Sequence, residues 1–234
     1  MGHAQMKCDS DQFSLQRITS NSDPLLWQFM DLVIEDFPMN ELLRPSEFHR
    51  AVTGANSDLV NDALPHLLVL VDKKEPVGSP IAGLCMCEWN PEVSCLTIWY
   101  LSIRYELRSR GLGQLLYQKV IEHAASSFGT MVAVLLEVEL PELCETPIQR
   151  KNAEKRIEFY RRLGYRFAVN ILYVQHVGWV PSYTRGPSSE PGLTMHLGIH
   201  SISPLSDKEA TLILLKRFGN HILQPDGVVE IEFR

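Results

Sequence analysis

The stretch from Cys95 to Leu140 constrains the chain most, because two apolar runs there flank a glycine-rich turn and a helical pattern. The first run, CLTIWYLSI (Cys95 to Ile103), is rich in β-formers and almost wholly apolar, which suits a central strand covered on both faces. LRSRGLGQLLYQ follows, and Leu112, Leu115, Leu116, Val120 and Ala124 then recur at helical spacing up to Gly129. MVAVLLEVEL (Met131 to Leu140) is a second buried strand. Strand, turn, helix and strand make a βαβ unit, whose two strands must run parallel.

The rest of the chain surrounds this unit with hairpins and helices. FSLQRIT alternates as a short strand, and SNSD before Pro24 starts a helix carrying Leu25, Leu26, Phe29, Leu32, Val33 and Phe37. PSEFHRAVTG is a second, weaker helix. HLLVLVDKKEPVGSPIAGLCMCEWN reads as strand, polar turn, strand. TPIQRKNAEKRIEFYRRLG is a helix with Thr146 as cap, Pro147 in the first turn and Gly164 at its close. YRFAVNILYV follows as a strand, VPSYTRGPSSEPG as a loop, LTMHLGIHSI as a strand, DKEATLILLKRFG as a helix and GVVEIEFR as a last strand. The organisation expected is a flexible segment 1–12 and a single domain over 13–234, with a C-terminal extension at about 178–234.

Composition narrows the function. Lys and Arg number 22 against 28 Asp and Glu, a net charge of −6, which argues against nucleic acid or an anionic membrane as the main partner and suits a cationic one. The five cysteines lack paired zinc spacing and the histidines are scattered, so no metal centre is expected and a reducing, cytoplasmic location is the simplest. No apolar run reaches the roughly 18 residues of a membrane span, and the start lacks a signal-peptide core. Cys85 and Cys87 read as small core residues, His123 as a surface residue, and His196 and His200 as strand residues without helical zinc spacing. Trp89, Trp99 and Trp179 read either as core or as lining for an acceptor.

The glycine turn carries the chemistry. A helix start leaves amides without partners and bears partial positive charge, so an anion is its natural ligand. Gly111 and Gly113 let a phosphate approach the backbone closely, and Arg108 and Arg110 add charge. A pyrophosphate is the ligand this predicts; taken alone, the glycines fit a simple tight turn equally well. Neither the dinucleotide fingerprint nor the P-loop is present.

LSIRYELRSRGLGQLL resembles the cofactor motif of the GCN5-related N-acetyltransferase (GNAT) family, with Arg108, Gly111 and Gly113 on its pattern and Ile103 on the preceding strand position. FYRRLGYRF (Phe159 to Phe167) resembles the second family signature, and the resemblance covers roughly Phe13 to Val174. It implies an α+β fold of the GNAT type: a mixed, mostly antiparallel sheet of about six to seven strands with a splayed parallel pair, flanked by helices. It also implies acetyl-CoA as acyl donor. Ser109, Arg110, Gly111, Leu112, Gly113 and Gln114 would surround the pyrophosphate, while the strand containing Leu101, Ser102 and Ile103 would pair with the pantetheine. Ile103 and Val138 would lie beside the acyl group.

Acetyl transfer to an amine needs a neutral amine and a proton for the departing thiolate. Tyr160, which matches the family's tyrosine, is the candidate proton donor; its alternative role is ring packing. Glu137 and Glu139 point to one side of their strand, and Glu137 resembles the base of the ribosomal-protein alanine acetyltransferase branch. Glu137 is the candidate base, directly or through a water, with ordinary solvent-facing carboxylates as the alternative and Glu88 in reserve. Arg150, Lys151, Lys155 and Arg156 form a basic run that faces solvent or reaches the 3'-phosphate of CoA. The family's pantetheine-contacting Asn is replaced by Ala153, and Asn152 stands one step off register. The acceptor expected is a small-molecule primary amine; a CoA-binding sensor without turnover, a peptide N-acetyltransferase and a homodimer are alternatives left open.

Overall fold

The computed structural model describes residues 10–38, 41–53, 64–75, 80–175, 193–219, 222–223 and 231–234. The readings that concern Cys8, Trp179 and the loop 180–192 lie outside the described residues. The chain divides into two compact units, one from 1–90 and 98–130, the other from 91–97 and 131–234.

The first unit holds β1 (Phe13–Ile18), α1 (Pro24–Asp36), α2 (Pro45–Thr53), β2 (Leu64–Asp72), β3 (Ile81–Asn90), residues 98–103 of β4 (Cys95–Ile103) and α3 (Leu112–Phe128). Its strands lie in the order β1-β2-β3-β4, with β1 antiparallel to β2 (Leu15 opposite Leu70) and β2 to β3 (Leu68 opposite Cys85). All ten residues of β3 are buried, as a strand with both faces covered requires. The α1 helix starts where Asp23 accepts from the Leu25 amide, ahead of Pro24. Tyr100 of β4 fastens the segment between α1 and α2: its hydroxyl donates to the Glu41 carbonyl at 2.6 Å and accepts from the Leu43 amide at 3.0 Å. Gly83 is a packing requirement, since a Cβ there would stand 2.7 Å from the Ser102 carbonyl oxygen and 2.5 Å from Ile103 Cδ1.

The second unit holds β5 (Ala133–Glu139), α4 (Pro147–Arg162), β6 (Arg166–Phe167), β7 (Leu172–Gln175), β8 (Leu193–Ser201), α5 (Asp207–Phe218) and β9 (Ile222–Leu223). Here β5, β6 and β7 each run antiparallel to β8, and β7 also pairs with β9. Capping boxes open both helices, Thr146 with Gln149 and Ser206 with Glu209. Gly164 ends α4 at φ 94°, the left-handed role its position predicts. Ala210, Leu214 and Phe218 of α5 cover Leu135, Leu197 and Ile199, where each buried side chain of this size stabilises by about 2 kcal/mol.

The mixed α/β class expected from the sequence is the one observed. Two strands differ, and the first, YRFAVNILYV, is not continuous. Five residues, 168–172, lie opposite only two of β8, 196–197, so the segment bulges between β6 and β7. The end of the chain fills the gap, with Phe167 and Arg234 exchanging both backbone hydrogen bonds at 2.9 and 3.0 Å and Val169 donating to Glu232. The last strand read over GVVEIEFR is reduced, among the described residues, to a bridge between Ala168 and Phe233. No described helix is long and apolar enough to cross a membrane, and no three His, Cys, Asp or Glu side chains gather among the described residues.

His123 is a further correction. Instead of facing solvent it is half-buried, its Nε2 lying 3.0 Å from Nδ1 of the buried His66, with the Phe128 ring 4.8 Å from that of His66. Helix α3 places it there because residue 123 follows Val120 by one turn onto the β2 side. Burial, then the nearby Arg17 charge, depresses His66 to about 3, and the same causes lower His123. In the unfolded chain both protonate near their ordinary value, so acid favours unfolding from there downward. The denaturation midpoint should therefore fall between pH 7 and pH 5, and His66→Gln should flatten that part of the curve; equal slopes in both proteins would contradict the assignment.

Candidate functional site

The turn between β4 and α3 is built to expose backbone donors. After β4 the chain makes a 3-10 turn over Tyr105–Leu107, whose closing bond runs from the Arg108 amide to the Tyr105 carbonyl at 3.2 Å. Ser109 then takes φ 64° and Gly111 φ 80°, two left-handed residues on either side of Arg110. For Ser109 this conformation costs roughly 1–2 kcal/mol, a local strain of the kind that concentrates at functional loops. The first helical bond of α3 is Leu115 to the Gly111 carbonyl at 3.1 Å. Among the described residues, no acceptor is found for the amides of Ser109, Arg110, Gly111, Leu112, Gly113 or Gln114. Nothing lies within 4 Å of where a Gly111 Cβ would stand. Six donors, a helix N-terminus and open space together suit an anion with several oxygens, and a diphosphate fits that description.

Arg108 is held by groups of its own unit. Its Nη2 lies 2.5 Å from Asp36 Oδ1, and its Nε donates to the Ile103 carbonyl at 2.8 Å. The other Asp36 oxygen accepts from the Ser102 hydroxyl. One carboxylate at the end of α1 thereby ties the last residues of β4 to the residue that opens the turn. Ser102 and Ile103 are buried and Leu101 half-buried; Ser109, Arg110 and Gln114 are exposed, Gly113 is half-buried, and Leu112 is buried as the anchor of the first helical turn. Glu88, the reserve carboxylate, is buried and accepts from Trp99 Nε1 at 3.0 Å, while Trp89 stacks on Phe128 with centroids 5.0 Å apart.

In the second unit, Glu137 and Glu139 do share a strand face, but neither is a simple solvent-facing carboxylate. Glu137 Oε1 accepts from the Tyr173 hydroxyl at 2.8 Å, and Glu139 is ion-paired with Arg156. Burial, followed by the Glu137 charge and this bond, pushes the Tyr173 phenol well up, so it donates and the carboxylate accepts at neutral pH. Arg217 of α5 is buried, its Nε 3.3 Å from Thr97 Oγ1. Tyr160 is buried on the inner face of α4 with Ala153 and Ile157, its ring edge-on to Tyr165 at 5.3 Å. Asn152 is exposed, one residue away from that face. Within the basic run, Arg150 donates to the Pro141 carbonyl, and Lys151 and Lys155 are exposed.

Asp36, Tyr173 and Arg217 were not among the residues singled out by sequence. Asp36 stands 72 positions before Arg108 and looks like an ordinary last-turn helix residue. Arg217 carries a weak signal, a charge one residue before Phe218 in a helix whose Leu214 and Phe218 face inward.

Comparison with known proteins shows the family and the fold. The profile of the "Acetyltransferase (GNAT) family" matches residues 26–165. A search of curated proteins gave no match. Among solved structures, Arabidopsis thaliana NAA60 in complex with acetyl-CoA superposes with TM-score 0.54 at 16% identity, covering 81% of this chain and 98% of that one. A variant of the SpeG spermidine N-acetyltransferase from Vibrio cholerae gives TM-score 0.53 at 10% identity, covering 82% and 94%. An aminoglycoside 6'-N-acetyltransferase complexed with coenzyme A gives TM-score 0.54 at 16%, covering 82% and 99%. At these identities the likeness is one of fold, whereas the profile match extends over more than half of the sequence, from α1 to the residue after Gly164: the chain belongs to the acetyltransferase (GNAT) family.

Proposed function

We propose that the protein is an acetyl-CoA-dependent N-acetyltransferase that modifies a primary amine of a small molecule. The observation that carries the reading is the row of six amides from Ser109 to Gln114 without acceptors at the start of α3. They and the partial positive charge of the helix would hold the diphosphate of coenzyme A. Acetyl-CoA, when bound, supplies the thioester whose acetyl group is transferred. Leu101, Ser102 and Ile103 would border its pantetheine arm. The free cysteines Cys85, Cys87, Cys95 and Cys144 agree with a cytoplasmic, reducing location.

On the acceptor side, Glu137 receives a proton from the ammonium, which frees the nitrogen lone pair for a new C–N bond. Tyr160 gives its hydroxyl proton to the sulfur as the C–S bond breaks, and the second proton, shed by the nitrogen as the amide forms, passes through water to restore the phenol. A carboxylate base and a net charge of −6 both suit an acceptor that arrives as a cation. Among the structural neighbours are enzymes named for spermidine and for aminoglycosides, which supports a small-molecule amine, and a NatC complex bound to a Gag peptide, which makes peptides the necessary comparison.

Thiol release from acetyl-CoA with a panel of polyamines, aminoglycosides, arylalkylamines and N-terminal peptides, each against a blank without amine, tests the reading. Higher rates on peptides than on every free amine would overturn the small-molecule assignment, and rates at the blank with all of them would overturn turnover itself.

Two variants report on the cofactor turn and one on the proton donor. Asp36→Ala and Arg108→Ala remove the same clamp, so each should weaken coenzyme A binding in calorimetry by roughly tenfold, and the double variant should be no worse than either. Additive losses would mean that Arg108 meets the ligand directly. Tyr160→Phe should lower kcat by roughly a hundredfold while leaving coenzyme A affinity within a factor of two. A parallel loss of affinity would reassign the ring to packing.

A further inference from the structure

Glu137 lies inside the stretch shared with the family, yet the side chain that binds its carboxylate does not. Tyr173 of β7 and Arg217 of α5 both follow the matched residues 26–165. Tyr173 is buried, and its hydroxyl points at Glu137 Oε1 from 2.8 Å. Its ring meets Phe218 edge-on at 5.4 Å, so α5 fixes the phenol from behind. Arg217, the next residue back, is buried, its Nε 3.3 Å from Thr97 Oγ1, and its charge opposes the effect of Glu137 on the phenol. The surrounding packing is apolar: Leu197 stands opposite Glu137 on β8, and Leu135, Met195 and Leu214 belong to the same cluster. Among the described residues, Tyr173 from β7 donates to the carboxylate, Arg217 from α5 acts electrostatically on that phenol, and Glu139, two residues along the same strand, is neutralised by Arg156 of α4.

A half-buried carboxylate among apolar side chains has few ways to be oriented, and a phenol that keeps its proton is a fixed donor. We infer that Tyr173 is a positioning residue that holds the Glu137 carboxylate in the orientation its role as base requires, so that the segment after the shared stretch completes the acceptor side of the site. The inference rests on the reading of Glu137 as base. A donated hydrogen bond favours the charged carboxylate; without it, Glu137 would hold a proton to higher pH and meet the ammonium in the wrong form.

Titration of the Glu137 side-chain carbon by 13C NMR, with the resonance identified by its loss in Glu137→Gln, follows the effect in the protein without substrate. Tyr173→Phe should raise the midpoint by about one pH unit. Replacement of Tyr173 by 3-fluorotyrosine, which keeps the packing and strengthens the donor, should lower it. With the most active amine of the panel, Tyr173→Phe should also lower kcat roughly tenfold and move the acidic limb of the pH profile upward, the KM for acetyl-CoA unchanged. If both replacements leave the midpoint in place while Glu137→Gln is inactive, the positioning role is overturned and the base survives. If Glu137→Gln turns over at the parent rate, the base reading falls and takes this inference with it. A rise in KM for acetyl-CoA at unchanged kcat in Tyr173→Phe likewise overturns it.

Discussion

Backbone hydrogen bonding at the start of α3 is the constraint on which the first unit depends. A helix start leaves its first amides without partners inside the protein, and here the turn before it adds more, most of them on exposed residues where water or a ligand can meet them. Holding Ser109 through Gln114 in that state takes a strained Ser109, a glycine at the helix entry and a rigid approach along β4. The approach is made rigid by Tyr100, which fixes the segment after α1, and by Asp36, which engages both Ser102 and Arg108. Gly83 lets β3 come close enough for Ile103 and Ser102 to sit where they do.

The second unit solves an opposite problem, keeping ionisable groups within an apolar face. Glu137, Tyr173, Thr97 and Arg217 occupy positions beside Leu135, Leu197, Leu214 and Phe218, and each is drawn into hydrogen bonding or electrostatic contact. A buried charge whose partner is removed is costly, so a polar group set like this one also fixes where α5 must lie. Helix α5 is thereby packed by its leucines and registered by its arginine.

Much of this was legible in the sequence, and the reasons differ by element. The strand from Cys95 to Ile103, the helix after it and the cap at Thr146 were readable because local signals agree with burial there: continuous apolar runs, a helical repeat, a Thr-Pro start. The loop of free amides was only half readable, since the same glycine spacing fits a simple tight turn, and it took the second motif, FYRRLGYRF, to tip the reading. YRFAVNILYV misled because alternation records which residues face the core, and that alternation survives a bulge which a partner elsewhere in the chain stabilises. His123 misled because a polar residue beside Glu122 on a helix ordinarily faces water, and only β2 could supply the histidine that meets it. The partners of Arg108 and Glu137 come from 72 and 36 residues away, distances at which a single sequence holds no record of who touches whom.

The Asp36 carboxylate couples two things that a sequence keeps apart. Because it grips β4 and the entrance to α3 together from the last turn of α1, a displacement of that turn is felt at both ends of the loop at once. Linkage makes the coupling mutual: whatever steadies the entrance to α3 steadies the end of α1 to the same extent in free energy, and the reverse.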